Sequence, residues 1–165
     1  MLRNDELHPL QAKQHLTRPG MSEDALRRKV VQGYVMDMYT KAVLVISADP
    51  DSLAEALGPF RDAGFTVRTA SALDAALALL DPSAPPALVL LDARDDADGA
   101  TLRADAMRVL SRCALTWLTA VSPISAGAFH DAMEGLGMLP PLPLTPARRD
   151  GEALLTALRR FLPED

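Results

Sequence analysis

The stretch that decides the fold is Leu88-Val89-Leu90-Leu91-Asp92-Ala93-Arg94-Asp95-Asp96-Ala97-Asp98-Gly99. Four consecutive apolar residues end on a carboxylate, and an Asp-Gly turn comes after it. Such a run reads as a strand covered on both faces, with Asp92 delivered at its carboxyl end. In open α/β sheets, ligands and chemistry collect at that end. The surroundings of Asp92 therefore decide what this chain can do.

Composition narrows the classes. The chain has 165 residues, 48% hydrophobic and 24% charged, enough for one packed domain and an extension. A net charge of −5 argues against a nucleic-acid-binding surface, since phosphate contacts need clustered Lys and Arg. No apolar run reaches the roughly 18 to 20 residues that span a bilayer. The segment Met1 to Glu6 lacks the apolar core of a signal peptide, so a cytoplasmic location is expected. Cys113 is the single cysteine, which excludes an internal disulfide and a cysteine zinc site. His8, His15 and His130 are scattered, with no third ligand evident to make a metal site of any of them.

Two parts are expected, 1–40 and 41–165. The first carries six basic and five acidic residues, the second eleven and seventeen. Residues 1–20 lack sustained periodicity and are broken by Pro9 and Pro19-Gly20, as in a loose arm. Ser22 then caps an amphipathic helix whose stripe is Leu26, Val30, Val31, Tyr34, Val35 and Met38. That stripe must be buried, either on its own domain or against a partner, a second copy included.

From Lys41, strands and helices alternate. The strands are expected at 42–46, 65–69, 87–91, 114–119 and within 138–144. The first helix opens at Asp51 or Ser52 and ends at Gly64. The second opens at a Ser71-Ala72-Leu73-Asp74 capping box, with Leu73, Leu77 and Leu80 inward. The others cover about 100–113, 125–134 and 151–162. Five such units predict an α/β three-layer fold with a five-stranded parallel sheet, flavodoxin-like, of order 2-1-3-4-5. Pro140, Pro141 and Pro143 place the fifth strand at an edge or make it irregular, since proline donates nothing to a ladder.

With these elements in place, 41–162 resembles the receiver domain of bacterial two-component response regulators. The matching residues are Val43 to Ile46 with Asp49-Pro50-Asp51, Gly64 to Val67, Leu88 to Asp92, Asp98-Gly99, Thr119-Ala120 and Thr145-Pro146. The resemblance implies that Asp92 holds the position of the phosphorylated aspartate and that Ser47, Ala48, Asp49, Thr119 and Thr145 line its pocket. It also implies a cis peptide at Thr145–Pro146. The departures are specific. The family's adjacent acidic pair, which holds magnesium, reads Ser47-Ala48 here, and its lysine reads Thr145. The loop after Asp92 is about one residue shorter than usual, lacks the customary proline and carries Asp95, Asp96 and Asp98. Magnesium wants an octahedron of oxygens with one or two carboxylates, so Asp92 with Asp49 would bind it weakly at best. The usual strand-five aromatic is Leu142.

These departures point to a degenerate receiver, or pseudo-receiver. Such a chain would be a non-enzymatic adaptor that needs no cofactor and binds a histidine kinase or another signalling protein. The resemblance puts the docking face on the fourth helix, fifth strand and fifth helix. Phe129, Met133, Leu139 and Leu142 would sit there, rimmed by Arg148, Arg149, Arg159 and Arg160. No output domain follows residue 165, so output through binding is expected. Two alternatives stay open: a single-domain response regulator phosphorylated on Asp92, and a flavodoxin-like cofactor-binding protein. The latter has only Ser47 in its favour, since no glycine-rich phosphate loop is present.

Overall fold

The computed structural model describes residues 39–162. The arm and amphipathic helix expected over 1–38 lie outside them. In chain order the elements are β1 (Thr40–Ile46), a 3-10 turn (Pro50–Leu53), α1 (Ala54–Asp62), β2 (Thr66–Ala70), α2 (Leu73–Leu79) and β3 (Pro86–Asp92). Then come α3 (Ala100–Arg112), β4 (Trp117–Val121), α4 (Ala126–Ala132) and α5 (Arg148–Arg159).

The sheet is parallel, with four strands in the order β2-β1-β3-β4. Alternate residues of the strands feed two cores. Val43, Val45, Leu88 and Leu90 face Leu57 and Phe60 of α1 and Leu154, Leu155 and Leu158 of α5. Leu44, Ile46, Val89 and Leu91 face the other layer, where α2, α3 and α4 contribute Ala76, Leu102, Val109 and Phe129. Burial on both faces is why β1 and β3 read as unbroken apolar runs. Each buried Leu or Phe contributes about 1.5–3 kcal/mol to this arrangement.

The expected fifth strand is not formed. Residues 138–142 run parallel to β4 through two isolated bridges, Leu118 with Met138 and Val121 with Leu142. Leu139 N donates to Leu118 O, Leu142 N to Ala120 O, and Ser122 N to Leu142 O. Pro140, Pro141 and Pro143 have no N–H to extend the ladder, so it stays broken. Thr145–Pro146 is trans, as is every peptide bond among the described residues, against the expected cis isomer. Trans is the lower form of an X–Pro bond by about 0.5–1 kcal/mol.

Three smaller differences have local causes. β4 starts at Trp117, not Ala114, because Cys113–Thr116 is a turn: Thr116 N donates to Cys113 O and its hydroxyl to Pro86 O. At α2 no side chain caps the N-terminus. Ala76 is its buried residue and Leu80, just after it, is buried as well, while Leu73 and Leu77 are only partly covered. Helix α5 begins at Arg148, three residues early, because the Asp150 carboxylate accepts from Ala147 N and closes its first turn. No helix among the described residues is long and apolar enough to cross a membrane.

Candidate functional site

The site is built where β1 and β3 end side by side. Ile46 pairs with Leu91, so Ser47 and Asp92 leave the sheet as neighbours. The Ser47 hydroxyl donates to Asp92 Oδ2 at 2.7 Å and accepts from Asp49 N at 3.0 Å. Ser47 therefore meets Asp92 as a hydrogen-bond donor.

The main partner of Asp92 lies outside the family motifs. Arg94 Nε donates to both carboxylate oxygens, at 2.9 and 3.1 Å, and Arg94 Nη2 to Oδ2 at 2.8 Å. Nη2 also donates to Ser52 Oγ at 2.7 Å, and that hydroxyl donates to Asp49 O at 2.8 Å. The side chain of Asp92 is 7% exposed and that of Arg94 30%. Bidentate guanidinium–carboxylate geometry is the strongest form of such a pair. Burial pushes the Asp92 carboxyl up, but the Arg94 and Ser47 hydrogen bonds and the Arg94 charge outweigh it. They hold the group below its ordinary value. The sequence did contain the signal, since Asp92-Ala93-Arg94 places a guanidinium within reach of the strand-end carboxylate.

The remaining expected pocket residues divide. Ala48, with Ser47, lines a cleft beside Asp92 whose other walls include Asp95, Asp96 and Asp105. Asp49 meets the network through its backbone N–H and carbonyl. Thr119 does not join Asp92. It lies beside Leu90, whereas Val121 lies beside Asp92, and its hydroxyl donates to Pro140 O at 2.9 Å. The β3–β4 register is the cause, since it sets Val121 opposite Asp92 and Thr119 two residues back. Thr145 is exposed and is not among the residues lining the cleft. Asp96 and Asp98 have local work: Asp96 accepts from Gly99 N and Leu102 N, and Asp98 from Ala100 N, at the start of α3.

The expected docking residues are core residues. Phe129 and Met133 are 3% exposed and Leu139 and Leu142 are 4%, so none of the four offers a side chain to a partner. Phe129 and Met133 sit inward because α4 must cover the β4 side of the sheet. Leu139 and Leu142 extend the core beneath α5.

The donor set does not suit a magnesium site. Ser47 and Ala48 bring no carboxylate, both oxygens of Asp92 are engaged by Arg94, and no group of three or more acidic, His or Cys side chains among the described residues could hold a metal ion.

No protein-family model matches the sequence, and no curated protein does. Solved structures do match. A two-component response regulator from Clostridium difficile aligns over 73% of this chain and 97% of its own, with a TM-score of 0.56 at 14% identity. The non-phosphorylated HemR receiver domain from Leptospira biflexa aligns over 71% and 92%, with a TM-score of 0.55 at 18% identity. A response regulator from Desulfuromonas acetoxidans aligns over 73% and 98%, with a TM-score of 0.56 at 12% identity. The fold is that of a response-regulator receiver domain. Within this receiver fold, Asp92 stands at the carboxyl end of β3, and its charge is balanced by the chain's own Arg94.

Proposed function

We propose that this chain is a non-enzymatic signalling or adaptor module, a pseudo-receiver that acts by binding proteins. In this reading Asp92 is not the substrate of magnesium-dependent phosphoryl transfer. One observation carries it: both oxygens of the Asp92 carboxylate are engaged by Arg94, and one of them also by Ser47. Phosphoryl transfer depends on positioning and on neutralising phosphate charge with metal and cations. Here the attacking oxygen would first have to leave a guanidinium, without the metal ligands that resemblance places at 47 and 48. Each missing stabilising contact is worth about 2–4 kcal/mol in the transition state.

The face formed by α4, residues 138–142 and α5 remains the proposed docking surface, with different residues presented. Arg149, Arg159 and Arg160 are exposed on or just after α5, and Leu144 and Phe161 are about half exposed. A histidine kinase or another cytoplasmic signalling protein with an acidic contact patch would suit it. The Leu26–Met38 stripe is a second proposed contact, toward another copy of the chain.

Arg94 also favours the alternative reading in one respect, because a cation next to Asp92 could receive a phosphoryl group in place of the absent lysine. Incubation of the full chain with acetyl phosphate and magnesium, and then mass measurement, separates the two. An unchanged mass is expected. A gain of one phosphoryl group that disappears in Asp92→Asn would establish the phosphorylated regulator instead. A purified protein with visible absorbance would favour the cofactor-binding reading.

A further inference from the structure

We propose that Arg94 is the resident cation of this pocket, clasping the ends of β1 and β3 in a single state that does not respond to divalent metal. The inference deepens the reading of the Asp92 pocket given above and rests on it.

The guanidinium adds a second tie between two loops that the Ser47–Asp92 hydrogen bond already joins. Through Asp92 and Ser47 it reaches the end of β1, and through Ser52 it reaches the Asp49 carbonyl and the 3-10 turn that opens α1. A divalent ion bound between these loops would draw the same two ends together by charge. Arg94 does so with a planar fork whose geometry already matches the carboxylate. It lies two residues from Asp92, so it competes at an effective concentration of millimolar or above, comparable with free magnesium. Magnesium would also have to shed tightly held water to enter.

Removing the guanidinium would leave its neighbours' charge unbalanced. Asp49, Asp92 and Asp95 all act on it electrostatically. Without it, the nearly covered Asp92 carboxylate would lose its guanidinium partner while Asp49 and Asp95 kept their negative charge nearby. Like charges at close range favour either protonation or an incoming cation.

The test is thermal unfolding of the full chain and of Arg94→Ala, each in millimolar magnesium and in EDTA. Arg94→Met, which keeps part of the apolar stem, is run in parallel in case the alanine variant does not fold. The wild-type midpoint is expected to be the same in both buffers. The variant midpoint is expected roughly 5–10 °C lower in EDTA and to rise when magnesium is added. A wild-type midpoint that rises with magnesium overturns the proposal. So does a variant as stable as the wild type, or one that is destabilised but indifferent to magnesium, since the side chain would then act by packing alone. The wild-type comparison stands even if neither variant folds. Failure here with an unchanged mass under acetyl phosphate leaves the adaptor reading intact, whereas a phosphorylated Asp92 removes that reading whatever the midpoints show.

Discussion

At the scale of the residue, Asp92 and Arg94 form a pair whose worth depends on burial. With the Asp92 side chain nearly covered, losing its charge-assisted hydrogen bonds costs about 1.5–3 kcal/mol, well above an exposed ion pair. The carboxyl is held below its ordinary value of 3.8. Its stabilising contribution is therefore complete above that value and is lost as pH falls through the lower folded-state value. Asp92→Asn should thus be less stable than the wild type at neutral pH, and the gap should close on acidification below about 3.8. Urea midpoints across pH measure this; a gap independent of pH would show that the charge contributes nothing. Ser47→Ala removes a donor to Asp92 and an acceptor for Asp49 N, and should cost about 1 kcal/mol by the same measurement.

At the scale of the element, α1 and α5 approach closely at Gly151. A Cβ built at Gly151 would overlap the Ala56 backbone carbonyl, so the two helices cross where one has no side chain. The crossing is flanked by the ion pair of Arg148 with Asp62. Gly151→Ala must push the helices apart and should destabilise by more than about 2 kcal/mol, although alanine is the better helix former. Phe129→Ala, on the short helix α4, should cost about 3–5 kcal/mol by opening a cavity in the second core. Its effect on any partner would then come through unfolding, which circular dichroism would detect. An unchanged melting curve for either variant would contradict the packing described here.

At the scale of the whole molecule, the proposed docking reading rests on Arg149, Arg159 and Arg160, exposed on or just after α5 in a chain that is acidic overall. Charge reversal of these three to Glu should leave the melting curve within a few degrees of wild type and abolish binding of an acidic partner. Stripe pairing between copies should make the full chain a dimer and a chain trimmed to residue 39 a monomer. Light scattering decides this, and equal masses per chain would assign the stripe to its own domain. The trim belongs at 39 because Thr40 is already part of β1 and donates to Pro85 O through both its N–H and its hydroxyl.

By itself the sequence determined the alternation of strands and helices and the delivery of Asp92 at the end of β3, which come from local periodicity and from runs apolar on both faces. The strand order was expected only through likeness to the flavodoxin-like class, as 2-1-3-4-5, and the structure shows its first four members as β2-β1-β3-β4. The sequence also determined that prolines 140, 141 and 143 would spoil an edge ladder, because a missing N–H is a property of the residue. Tertiary structure alone decided which groups meet. Thr119 falls away from Asp92 because the β3–β4 register sets Val121 opposite Asp92, and Thr145 is not among the residues lining the cleft; no local pattern encodes either. Phe129, Met133, Leu139 and Leu142 are core because a sheet face had to be covered, a demand made by the assembled layers. The site's charge balance was settled the same way, when two loop ends came close enough for one guanidinium to serve both.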